Sequence, residues 1–216
     1  SEQGVQEQQR MIKVIMLPVG LLEANCYIVY DDARTDAVII DPGAEASRIE
    51  RELDKAGRSA GAVLLTHGHF DHCNAAHVFA DKGAKVYMHE ADEIMTRSAL
   101  NMCELTGEPF NGFRPSVLVE NGTVIDECGM SFRTIHTPGH TAGSVCYMLG
   151  DKLFTGDTLF RLGVGRADLP TGDYKLLVHS VREILFRLQG DYTVFPGHGE
   201  LTTLSFEKQH NMFAEI

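Results

Sequence analysis

A chain of 216 residues, 44% apolar and 23% charged, can bury one sizeable core and is short for two domains. Thirty acidic residues against 19 basic ones leave a formal net charge of −11, which repels phosphate backbones and anionic bilayers and argues against nucleic-acid or membrane partners. The five cysteines are odd in number and widely spaced, with no Cys-x-x-Cys pair, a pattern of reduced thiols in a cytoplasm and not of a disulfide framework.

Residues 1–10 are polar and Gln-rich and are set aside as a tail, with Met11 as the expected natural start. Residues 11–216 read as one domain, free of repeats and linker-like runs. The longest apolar run, Val14 to Leu17, is far too short to span a bilayer. Met11 to Leu17, Cys26 to Tyr30 and Ala37 to Ile40 are expected strands. Ala46, Ile49, Leu53 and Ala56 then share one helical face, stopped by Gly57. Ala62 to Leu65 is a continuous apolar run, suited to a strand buried on both faces. A helix is expected from His72 to Lys82, a strand at Lys85 to His89 and a helix from Ala91 to Leu100. Segment 101–116, with two glycines and two prolines, reads as an irregular loop over a site. Met130 to Ile135, Ser144 to Leu149 and Lys152 to Thr155 are expected strands, the last two joined at Gly150-Asp151. Leu177, Val181, Ile184 and Leu188 mark an amphipathic helix, followed by a strand at Tyr192 to Phe195 and a helix over 204–214. Two sheets between helices and a single α/β sheet both accommodate this order.

Chemistry enters at Thr66-His67-Gly68-His69-Phe70-Asp71-His72, directly after the buried strand. In extended chain alternate residues face the same way, so His67, His69 and Asp71 share one side. His72 breaks that parity where a helix should begin. Imidazole and carboxylate without thiolate are the donors of an open, hydrolytic site for zinc, iron or manganese, not of a structural zinc knot. A polar loop of unrelated histidines leaves this spacing unexplained. Three further segments follow expected strands with a glycine and a ligand type: Pro138-Gly139-His140, Gly156-Asp157 and Pro196-Gly197-His198. Glycine there lets backbone crowd close to a metal centre. Alone, each is more often a turn; together with the first cluster they describe a site. His77, His89, His136, His179 and His210 stand outside these motifs and read as structural or surface residues.

His-x-His-x-Asp-His, then Pro-Gly-His, Gly-Asp and a second Pro-Gly-His, is similar to the metallo-β-lactamase superfamily across residues 11–216. Asn25-Cys26-Tyr27 and Asp41-Pro42-Gly43 look like that family's early strands. The resemblance implies an α+β fold, the αββα sandwich of two mixed sheets packed between helices, with two divalent metal ions at one edge. It implies His67, His69 and His140 on one ion, Asp71, His72 and His198 on the other, and Asp157 bridging them, with Asp71 and Asp157 as the catalytic carboxylates. Zinc is the first expectation, iron or manganese the alternatives. Many members carry glycine where this chain has Asn74, a departure expected to alter the start of the helix without removing a ligand. Two cations would lower the pKa of a shared water towards neutrality. The bridging hydroxide so formed would attack a carbonyl, and a thiolate of pKa about 8.5 would leave without a general acid.

Phe160 to Asp168 resembles the matching segment of small glyoxalase II-like proteins, and almost as well that of persulfide dioxygenases. β-Lactamases generally carry another residue in place of the bridging aspartate, which argues against antibiotic hydrolysis. RNA-processing members share the first motif, but the acidic charge and short chain argue against them. Glyoxalase II carries a helical extension with basic residues that hold glutathione, whereas Lys208 is the sole Lys or Arg after His198 here. The leading expectation is hydrolysis of a small-molecule acyl thioester, with a glutathione thioester as the first candidate and Arg166 and Phe160 on the substrate. An Arg166–Asp168 ion pair is the plainer reading of that arginine. The alternatives are a mono-iron persulfide dioxygenase on His67, His140 and Asp157, a lactonase-type hydrolase of the same fold, and a non-catalytic scaffold.

Overall fold

The structure, a computed structural model, describes residues 11–214, so the tail expected at 1–10 lies outside the described residues. In strand β2 (Ala24–Asp31), after β1 (Ile12–Val19), Cys26 and Ile28 face one way, Tyr27 and Val29 the other, and all four are buried. A strand buried on both faces needs a packed layer on each side, which two stacked sheets between helices provide. The first sheet continues through β3 (Asp36–Ile40), β4 (Ser59–Leu64), β5 (Lys85–His89) and β6 (Val117–Val119) in chain order, parallel from β3 onward. The second runs β7 (Val124–Glu127), β8 (Met130–His136), β9 (Val145–Leu149), β10 (Lys152–Gly156), then β13 (Thr193–Pro196) and β14 (Thr202–Thr203). Only β10 and β13 are parallel in it, and β11 (Leu159–Phe160) and β12 (Gly163–Val164) form a separate ribbon.

Tyr27, Val29, Ile40 and Leu64 of the first sheet meet Phe132, Tyr147, Phe154 and Phe195 of the second in one buried layer. The first sheet's other face packs Ile28, Ile39 and Val63 against Ile49 and Leu53 of α1 (Ala46–Ala56) and Phe79 of α3 (Ala76–Asp81). The second sheet's other face packs Cys146, Leu153 and Val194 against Val181, Leu185 and Leu204. These are the layers of the αββα sandwich. At about 1.5–3 kcal/mol per fully buried large apolar side chain, they carry most of the drive to fold. All five cysteines are free thiols. No helix among the described residues is long and apolar enough to cross a membrane.

The expected helices differ in detail. The helix read over 72–82 is two pieces, α2 (Phe70–Cys73) and α3, because at the break Ala75 N–H donates to Pro42 of the neighbouring loop. The helix read at Ala91–Leu100 winds as 3₁₀ turns over Glu90–Arg97 and Ala99–Asn101; i and i+3 eclipse in that winding, which turns Asp92 and Met95 inward together. The amphipathic helix starts earlier, at α4 (Tyr174–His179) with Asp173 accepting from Leu176 N–H, and widens to π winding over Ser180–Leu185. The last helix, α5 (Leu204–His210), stops where Asn211 turns extended and its side chain bonds Gly163 and Glu207. β6, β7, β11, β12 and β14, at two to four residues each, are too short for alternation to mark them.

Candidate metal centre

Parallel order in the first sheet and the β10–β13 pair in the second bring several strand ends to one edge. His67 to His72 follow β4, His140 follows β8, Asp157 follows β10 and His198 follows β13. The edge is stapled across the sheets: Val145 N–H donates to Thr66 and the Tyr147 hydroxyl to Leu65. All seven sequence-predicted ligands meet there.

Hydrogen bonding sets the histidine tautomers. The Thr66 hydroxyl donates to Asp41 (2.6 Å) and therefore accepts from His67 Nδ1 (3.0 Å). His72 Nδ1 donates to the same carboxylate (3.0 Å), and His140 Nδ1 to the Arg166 carbonyl (2.7 Å). In its neutral form each of these rings turns its Nε2 lone pair inward. His140 Nε2 lies 2.9 Å from His69 Nδ1 and 3.2 Å from His67 Nε2. Facing lone pairs at such distances repel unless a cation or proton sits among them, and His69 Nε2 on the far side of the ring has no partner. Burial, with His72 and His140 next, pushes His67 well below the ordinary histidine pKa, and burial, then His140, takes His69 down to about 3. Both rings are kept in the neutral form that a metal requires.

Asp71, His72 and His198 form a second triad: Asp71 Oδ2 is 3.4 Å from His72 Nε2 and 3.3 Å from His198 Nε2. Asp157 stands between the triads. Its Oδ1 is 3.3 Å from His72 Nε2 without a hydrogen bond, and its Oδ2 is 3.4 Å from His140 Nε2 and 3.6 Å from His198 Nε2. Burial works against charge on His72, but Asp157 and Asp71 outweigh it and raise its pKa. Burial likewise works against both carboxylates, yet His72 foremost holds them well below their ordinary range. That field favours positive charge between the triads. Converging lone pairs, an orphaned carboxylate oxygen and negative potential together fit a pair of divalent cations. Asp41 also groups with His67 and His72, but its oxygens already accept from Thr66 and His72, so it orients ligands instead of supplying one.

Sequence reasoning missed the supports. Buried Asp92 accepts from Gly68 N–H (2.9 Å), Gly143 N–H (2.7 Å) and the Thr141 hydroxyl (2.7 Å), tying the His67–His69 loop to the His140 loop. Asn25 donates to Pro196 and Gly199, its N–H donates to Gly197, and so it holds the loop that carries His198. Asn74 removes no ligand; its side chain clasps Pro109 and Asn111 of the irregular segment. Gly197 is dictated by close approach, since a Cβ there would lie 2.1 Å from Asp157 Oδ1.

The centre opens into a cavity of about 340 Å³ lined by Phe160, Arg166, Met102 and Leu105 among others, so the irregular segment does lie over the site. The Phe160 ring stands edge-on to His198 with centroids 6.0 Å apart. The Arg166 guanidinium forms a two-point pair with Asp168 at 2.7 and 2.8 Å, the geometry of the plainer reading. The remaining histidines stay outside the cluster: His89 and His136 stack on each other at 4.1 Å, His77 donates to Asn74, and His210 lies on Phe206.

Residues 19–198 match the profile of the Metallo-beta-lactamase superfamily. The chain is 35% identical to the hydroxyacylglutathione hydrolase GloC of Haemophilus influenzae, over 94% of this chain and 98% of that one. Among solved structures it is similar to the BLEG-1 B3 metallo-beta-lactamase, with TM-score 0.89, 36% identity and 95% and 100% of the two chains covered. TTHA1623 in a di-iron-bound form follows, with TM-score 0.83, 34% identity and coverage of 93% and 100%. ETHE1 from Myxococcus xanthus gives TM-score 0.77 at 28% identity, covering 94% and 84%. The αββα layers, the ligand edge and these matches agree along most of the sequence, and the chain belongs to the metallo-β-lactamase superfamily.

Proposed function

We propose that the chain is a dinuclear metal-dependent hydrolase of small acyl thioesters, a hydroxyacyl-glutathione among them. The observation that carries the reading is Asp157, with one oxygen towards each of two complete ligand triads. His67, His69 and His140 would hold one divalent ion, Asp71, His72 and His198 the second, and Asp157 would serve both. Zinc is the first choice, with iron or manganese as alternatives, and the similarity to a di-iron form keeps iron in play. When bound, such a pair supplies Lewis acidity at a carbonyl and lowers the pKa of a shared water towards neutrality. The chain's own part is to present preset lone pairs, through Asp41, Thr66 and the Arg166 carbonyl, and to open the centre into the cavity. A thioester is favoured over an ester or amide because, besides the proposed ligands, Arg166 is the only titratable residue lining the cavity among the described residues. No general acid stands ready for an alkoxide or amine, whereas a thiolate needs none. A cytoplasmic setting fits the free cysteines.

The second reading, a mono-iron persulfide dioxygenase, draws on the convergence of His67, His140 and Asp157 alone, and leaves the triad of Asp71, His72 and His198 without a purpose. Assays of metal-loaded protein on S-lactoylglutathione, a simple acyl thioester, its oxygen ester, a β-lactam and a persulfide under oxygen separate these. Thiol release well ahead of the oxygen ester and β-lactam is expected. Oxygen consumption with persulfide and no thiol release would overturn the proposal.

A further inference from the structure

The wall of the cavity is not built for a charged thiol. Apart from the proposed ligands and Arg166, the side chains that face it are Leu22, Phe70, Met102, Leu105, Phe160 and Leu169. Four of them come from outside the two large sheets: Leu22 from the β1–β2 turn, Met102 and Leu105 from the irregular segment, Phe160 from the small β11–β12 ribbon. Leu22 is 46% exposed and Leu105 63% exposed, so among the described residues apolar surface stays uncovered beside the ligand cluster. Arg166, the only Lys or Arg in the lining among the described residues, is neutralised by the two-point pair with Asp168. Lys208, the sole Lys or Arg after His198, donates to the Leu188 carbonyl. Glutathione, with its carboxylates and ammonium, finds no unpaired partner among these groups.

We infer that the cavity selects its thioester by an apolar acyl chain, laid along Leu22, Met102, Leu105 and Phe160 with the thioester carbonyl at the ligand cluster. The inference rests on the thioesterase reading. In the reaction a water oxygen bonds to the acyl carbon, the carbon–sulfur bond breaks, the sulfur leaves with one proton as the free thiol, and the acyl chain leaves as a carboxylate with release of the other. Selection follows from burial: each methylene taken from water into such a wall is worth about a fourfold gain in kcat/KM. A cavity of about 340 Å³ is at the small end of ligand sites, so the gain ends once a medium-length chain fills it.

The test uses metal-loaded protein and one leaving group, the acetyl, butanoyl, hexanoyl and octanoyl thioesters of N-acetylcysteamine, beside S-lactoylglutathione. Binding of the matching non-hydrolysable S-alkyl thioethers is measured by calorimetry as a readout independent of turnover. The expected result is kcat/KM rising with chain length, hexanoyl above S-lactoylglutathione, and thioether affinity rising in parallel with a negative heat-capacity change. Leu105→Glu and Leu22→Glu, both at exposed positions that folding does not need, lower the hexanoyl-to-acetyl ratio on the order of tenfold. Turnover and affinity that ignore chain length, or S-lactoylglutathione as the best substrate, overturn the inference and leave the thioesterase intact. Absence of thiol release from every thioester fells the thioesterase reading and this inference with it.

Discussion

Asp92 touches no proposed ligand, yet it accepts from the backbone on both sides of the metal edge, which makes its removal informative. Asp92→Ala strips the acceptor from two buried N–H groups, those of Gly68 and Gly143, while the Thr141 hydroxyl can turn to Ser144 Oγ at 2.7 Å. At about 1–3 kcal/mol for each buried donor left unpaired, the expected loss is about 2–6 kcal/mol, a large part of a typical domain's stability. Asp92→Asn should cost less. An amide oxygen in place of Oδ2 keeps Gly68 and Thr141, the amide nitrogen opposes only Gly143, and the burial that pushes the Asp92 pKa up no longer acts on a charge. About 1–2 kcal/mol is expected for it. Urea unfolding of the metal-free proteins measures both, and competition against a chelator should show zinc held about tenfold more weakly in Asp92→Ala. If Asp92→Ala unfolds within about 0.5 kcal/mol of the parent, with zinc affinity unchanged, Asp92 does not brace the ligand loops.

Asp157→Ala should lower bound metal and activity together, because two cations would then face each other without the shared anion, whereas Asp71→Ala should spare part of the first site. Equal metal content in both variants and the parent would show that neither carboxylate is a ligand. Gly197→Ala places a Cβ 2.1 Å from Asp157 Oδ1 and should cut metal content although no ligand residue is replaced; a fully loaded variant would refute the close approach. Burial, with His136 next, brings His89 down to about 4 from the ordinary 6.5. The unfolded chain therefore binds more protons between those values, and this contribution to stability is whole above pH 6.5 and lost as pH falls towards 4. His89→Gln should flatten that part of the stability–pH curve, read by urea unfolding, and an unchanged slope would contradict the assignment.

The ligands were legible because their chemistry is written locally. His67, His69, Asp71 and His72 sit within six consecutive residues, and His140, Asp157 and His198 each follow a glycine at a strand end. Their supports were not, because Asp92 and Asn25 act through bonds to Gly143 and Gly199, far along the chain. Asp41 was seen only as part of an early Asp-Pro-Gly. Nothing at that position announces that its carboxylate sets the tautomers of His67 and His72. The choice between one sheet and two stayed open for a related reason: β2 is buried on both faces, and alternation cannot say what covers each. The helix break at Asn74-Ala75 and the 3₁₀ winding around Asp92 go with contacts to Pro42 and Gly68, which no local pattern encodes.

Metal titration of the chelator-treated protein, with thioester turnover followed at each addition, bears most directly on the two-ion thioesterase. Saturation at two zinc ions per chain is expected, with full turnover only as the second site fills. Saturation at one ion per chain, with no thiol released at any point and oxygen consumed in the presence of a persulfide once iron is supplied, would contradict it.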